Sequence, residues 1–223
     1  MNFHRTVIIL GTVAIFFSFL FALSNSKRSF VPSYLRYFYL YPLMIFLLCI
    51  ITIYSHFSSS FFVKVAITAE KICATLDFVF WFFFFYVLNK SGPTKMKYLI
   101  VIMSFITLIT MIVINAFATL TFISLGLSNF TKCLFCLIYF HNLFSSPPTI
   151  ILRKEPVFWI VTGLFLYTAS SLPIYVSTVY LNTIETGKAL VIFAFTNIAI
   201  VIMHFFFIKA HLCVRLYPKT LLS

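Results

Sequence analysis

The chain has 223 residues and a formal net charge of +12; 62% of its residues are apolar and 9% are charged. Soluble domains are roughly 45–50% apolar and about 25% charged. With so few charges a water-facing surface cannot be covered, so most of this chain needs lipid as its solvent. A soluble enzyme, a nucleic-acid-binding domain and a disulfide-stapled secreted module are excluded.

The expected fold class is all-α, a polytopic membrane bundle of seven transmembrane helices forming one domain over residues 1–223. Apolar runs near the roughly 20 residues of a spanning helix cover 7–23, 36–57, 65–88, 98–120, 122–144, 157–179 and 189–208, with a short tail at 209–223. The connections carry breaker residues, as in Ser58-Ser59-Ser60, Lys90-Ser91-Gly92-Pro93 and Ser145-Ser146-Pro147-Pro148.

The first run competes with a signal peptide, having a basic start at His4 and Arg5 and a cleavage-like Ala22-Leu23-Ser24. Lys27 and Arg28 follow at once and oppose export of that flank, so an uncleaved helix is preferred. Before and within the second run, Tyr34, Tyr37, Tyr39 and Tyr41 suit an interfacial belt.

The third run holds Glu70, Lys71 and Asp77. A charge at the bilayer centre costs roughly 2.5–3.5 kcal/mol on insertion scales, so such residues point to function. Glu70 and Asp77 are two helical turns apart on one face, with Cys73 and Ala74 between them. Lys71 is near the outer end and can snorkel; Asp77 is too deep and too short to do so. The fourth and fifth runs are divided only by length and Gly126, with no charge between Asn115 and Asn129.

In the fifth run Lys132 lies at about 15 Å depth, against about 18 Å for Asp77. The two can meet if their helices are neighbours, with Glu70 as the alternative acid. Such a pair either fixes packing or answers a ligand or proton. Cys133 and Cys136 share a helix face, but His141 is on another, so they read as small buried residues and no metal or cofactor is expected. The triplet Asn129-Phe130-Thr131 is too close to the bilayer for glycosylation. Asn115, Asn197 and the pair His141-Asn142 can bridge helices or line a cavity.

In the sixth run Pro173 frees the Ala169 carbonyl. With Tyr167, Ser170, Ser171 and Tyr175 nearby, the segment is either one wall of a small polar cavity or a kink healed by serine hydroxyls. In the seventh, His204 near the cytoplasmic end reads as interfacial, with protonation-linked signalling as the lesser reading, and Cys213 at that edge is open to acylation only in a eukaryote, on the weak signal of a single cysteine.

Orientation follows from the basic residues. With the N-terminus out and the C-terminus cytoplasmic, Lys27, Arg28, Arg36, Lys90, Lys95, Lys97, Arg153, Lys154, Lys209, Arg215 and Lys219 lie inside, against Arg5, Lys64 and Lys188 outside. That is a clear positive-inside bias. The excess positive charge therefore serves anionic membrane lipids rather than nucleic acid.

Known membrane chemistries find no purchase. The last run has Lys188 and Lys209 only at its ends, so no Schiff-base lysine for retinal is present. There is no H-E-x-x-H and no G-x-S-x-G, and Glu70 and Asp77 are roughly 10 Å apart on one helix, too far for a protease dyad. With five glycines and no visible inverted repeat, a rocking transporter is disfavoured. No enzyme is expected.

Two short motifs carry a resemblance. Glu155-Pro156-Val157-Phe158-Trp159 followed by Gly163 and Tyr167, and before it Tyr139-Phe140-His141-Asn142-Leu143, resemble small uncharacterised seven-helix membrane proteins of Bacteroidetes. They are also similar to the seven-helix sensory modules that precede histidine kinases there. The likeness covers about a quarter of the chain, mainly the fifth and sixth runs. The kinase-linked form continues into a catalytic domain, whereas this sequence ends at Ser223. The resemblance therefore implies a stand-alone inner-membrane sensor that hands its signal to a separate cytoplasmic protein, with no catalytic residues. A small-solute or proton-coupled transporter using Asp77, Lys132 and Glu70 is the alternative.

Overall fold

The structure is a computed structural model that describes residues 2–26, 33–55, 60–89, 94–116, 121–145, 152–181 and 186–216. The described residues are helical almost throughout. The helices are α1 (Asn2–Ser26), the single turn α2 (Ser33–Arg36), α3 (Leu40–Ser55), α4 (Ser60–Leu88), α5 (Thr94–Ala116), α6 (Thr121–Ser145), α7 (Pro156–Leu181) and α8 (Thr186–Leu216). Each of the seven longer helices carries described residues of one of the seven apolar runs.

Six of these helices are long and apolar enough to cross a bilayer; α3 is the shorter one. The second run was expected to be one helix from Arg36, but it is divided. Pro42 has no N–H for the Phe38 carbonyl, and its ring crowds that oxygen. The backbone tightens instead: Tyr41 N–H donates to Phe38 O at 3.2 Å and Leu40 N–H to Tyr37 O at 3.1 Å, the i→i+3 pattern of a 3₁₀ turn. A further 3₁₀ turn, Leu152–Lys154, precedes α7. There Glu155 caps the helix by accepting the Val157 N–H, with Pro156 at the first helical position. Burial holds the Glu155 carboxyl above its usual range despite that bond.

Helix contacts close a ring in the order α1, α3, α4, α6, α7, α8 and back to α1, while α5 sits outside it against α4 and α6. The ring encloses an aromatic core. Trp81, Phe84 and Phe85 of α4 point inward and Phe83 outward, the i, i+3, i+4 spacing of a helix face. Phe38 packs edge-on against Phe207 with ring centres 5.1 Å apart, and Tyr41 stacks on Phe80 at 5.1 Å. Such pairs add about 0.5–1.5 kcal/mol each beyond area burial.

The outer surface is as apolar as the core. Phe105, Phe195 and Phe205 are 65%, 61% and 61% exposed, and isoleucines and leucines fill the spaces between them. In water so continuous a patch would drive aggregation; against lipid it is the expected face.

Polar locks tie the α1 and α8 C-termini together. Buried Asn25 donates to the His211 carbonyl at 2.8 Å and accepts from Arg215 Nε at 3.2 Å, while Arg215 Nη2 reaches Ser24 Oγ at 2.6 Å. The cation also offsets the negative C-terminal end of α1. Asn25→Ala removes its bond to the His211 carbonyl and leaves Arg215 with Ser24 alone, and should cost about 1–3 kcal/mol, read as a lowered midpoint in a denaturant titration of the purified protein.

Candidate functional site

The site is built around α6. Asn129, Thr131 and Lys132 follow one another along that helix, and at about 100° per residue they face three directions. Each meets a different neighbour. Lys132 Nζ donates to Asp77 Oδ2 of α4 at 2.7 Å, Thr131 and Thr107 of α5 share a hydrogen bond at 2.9 Å, and Asn129 Nδ2 donates to Ser171 Oγ of α7 at 3.0 Å. These contacts lie near the helix midpoints, so α6 is pinned on three sides at one level.

The ion pair is well enclosed, with side-chain exposures of 3% for Lys132 and 13% for Asp77. Breaking such a pair is far costlier than never having it, because one charge is left buried and alone. Asp77's small exposure is to a cavity of about 220 Å³ inside the ring. Its walls are mostly apolar and come from α3, α4, α6, α7 and α8, including Tyr41, Asp77, Tyr167, Tyr175 and His204. Tyr41 and Tyr167 are both close enough to feel the Asp77 charge.

Other expected site residues fall in several places. Ser171 is buried and bonded to Asn129, and Tyr167 lines the cavity. Ser170 is exposed and spends its hydroxyl on the Leu166 carbonyl at 2.6 Å, and Pro173 is exposed as well. Thus one side of the kink region meets the cavity and the other faces out. Asn142 donates to Asn89 Oδ1 at 3.1 Å, joining α6 to the end of α4, while His141 is exposed beside α5. Asn197 is half-buried on α8. The side chain of Glu70 lies outside the described residues. Lys71 does not simply snorkel; its Nζ donates to the Asn115 carbonyl at 3.1 Å, on the negative end of α5.

Two expectations, for His204 and Tyr41, are corrected. His204 is not interfacial: it is fully buried and lines the cavity. The reason is that α8 continues to Leu216, well past the expected end at residue 208, which puts His204 in mid-helix. Lys209, which suggests a boundary in the sequence, is held with Nζ 3.6 Å from the Trp159 ring centre. Tyr41 leaves the interfacial belt, since it is 3% exposed on the inward face with Phe38, one turn along from it. Cys213 is buried, a poor acylation target.

Together the apolar exterior, the ring of helices and the paired charges within it define a multi-pass helical membrane protein. The chain matches no protein-family model, no curated protein and no solved structure.

Proposed function

We propose that the chain is a non-enzymatic sensory or signalling-accessory protein of a bacterial inner membrane. In this reading it spans the membrane seven times, N-terminus out, and passes a signal to a cytoplasmic protein. The observation that carries it is the Asp77–Lys132 pair, with Asp77 on the wall of the cavity inside the ring. A guest that alters the pair's surroundings changes how α4 holds α6, and α6 in turn is bonded to α5 and α7. A local charge contact linked to several helices is the element a membrane switch needs.

Further support comes from the basic residues of the cytoplasmic end in this orientation, Lys90 to Lys97, Arg153-Lys154, Arg215 and Lys219, which offer a partner a positive surface. The likeness of residues 139–143 and 155–167 to seven-helix sensory modules points the same way. A carrier is the second reading, favoured by a carboxylate facing a cavity at the middle of the ring. The two diverge for Asp77→Asn: a carrier loses flux while folded, and a sensor alters its partner's output with no flux to lose.

The test is gentle extraction in native lipid at endogenous expression, followed by mass spectrometry. A near-stoichiometric cytoplasmic kinase or regulator is the expected result. A preparation with no protein partner contradicts the sensory reading and favours the carrier.

A further inference from the structure

The cavity's 220 Å³ is larger than the roughly 150 Å³ that an engineered apolar cavity needs to take benzene. It is smaller than the roughly 300–1,000 Å³ of pockets for drug-sized ligands. The space therefore suits one substituted ring rather than a lipid chain or a peptide.

Its polar groups narrow the class further. His204 is fully buried, and neither of its ring nitrogens has a hydrogen-bond partner. Leaving buried polar atoms unbonded costs about 1–3 kcal/mol each, so a small turn of the His204 ring that brings one nitrogen to a guest's hydroxyl is favoured. Asp77 brings a carboxylate to the same wall, but Lys132 balances its charge at 2.7 Å. No net charge is left to offset the desolvation of an ionic guest, which argues for a neutral one. Tyr41, Tyr167 and Tyr175 supply rings that pack against an aromatic guest.

We propose that this cavity is a binding site for a neutral, single-ring aromatic molecule carrying one hydroxyl, of the phenol class. The ring packs among the three tyrosines and the hydroxyl hydrogen-bonds the His204 imidazole. This rests on the sensory reading only in supplying its ligand; the site itself stands apart from any partner.

The test uses the full chain in lipid nanodiscs with 4-fluorophenol as probe, followed by fluorine NMR, with empty nanodiscs as the measure of partition into lipid. Saturable binding above the empty-disc background is expected, displaced by p-cresol. Binding should be at least tenfold weaker for 4-fluorobenzoate and 4-fluorobenzylammonium, a comparison that needs no variant. His204→Phe, which removes the polar group, and Ala74→Phe, which fills space from α4, should each weaken binding tenfold or more.

No saturable binding by the wild type overturns the proposal, as does equal affinity for the charged analogues. Unchanged binding by folded forms of both variants overturns it too. Phenol binding with no co-extracted partner would sink the sensory reading and uphold the site; a partner without phenol binding would do the reverse.

Discussion

Lys132→Met should be the most damaging single substitution at the centre of the bundle. It removes the ammonium and leaves the Asp77 carboxylate, 13% exposed, without the donor now 2.7 Å away. Orphaning one member of a buried pair costs about 3–5 kcal/mol. No neutral group can supply the lost countercharge. Replacing both residues with apolar ones, Asp77→Leu with Lys132→Met, should recover most of that stability, because two desolvation penalties vanish with the attraction. The midpoint of an SDS-unfolding titration reads Lys132→Met, Asp77→Leu and the double variant, and the double variant should fall between Lys132→Met and wild type or above both. A double variant worse than either single one would contradict the account, since it has no orphaned charge to explain the loss.

Gly163→Ala should be the costliest small change elsewhere. A β-carbon there would lie 2.7 Å from the Phe206 β-carbon and 3.1 Å from the Met203 carbonyl oxygen. Neither neighbour is a flexible side-chain end; both are fixed to the α8 backbone, so α7 and α8 must part. Small residues allow this close approach between membrane helices, and overpacking it costs about 1–3 kcal/mol. The shift should disturb the stack of Trp159 on Phe206, whose ring centres are 5.7 Å apart, and so change tryptophan emission along with the unfolding midpoint. Gly126→Ala is the control, since its β-carbon would be an ordinary 3.5 Å from Tyr175 and should leave both readings unchanged.

How far the sequence reveals these features depends on the length scale of the physics involved. The helices are legible because an apolar run of spanning length has few other uses. The meeting of Asp77 with Lys132 is legible because both are too deep to reach water, so depth alone restricts their partners. Division of the second run is harder to see, since it turns on one proline's effect on the Phe38 carbonyl. His204 is concealed by Lys209, a charge that looks like a helix boundary until the Trp159 ring is known to lie beneath it. An apolar run on both sides, residues 205–208 and 199–203, is the signal that marks it as buried. Thr107–Thr131 and Asn129–Ser171 have no sequence signal of their own. A threonine or serine in a helix can always bond its own backbone, as Thr131 also does to Leu127 at 3.1 Å. Only the packing of α6 against two neighbours selects the cross-helix bonds.

The central claim is that a lipid-facing ring of helices holds the Asp77–Lys132 pair and its cavity deep within a bilayer. Spin labels placed singly at Phe105, Phe205 and Lys95, with the five native cysteines replaced, measure this directly in nanodiscs through accessibility to oxygen and to a water-soluble nickel complex. The labels at Phe105 and Phe205, exposed near the middle of α5 and α8, should be reached readily by oxygen and hardly by nickel. The label at Lys95, exposed at the start of α5, should show the opposite preference. Free nickel access at Phe105 and Phe205 would place these faces in water and contradict the account.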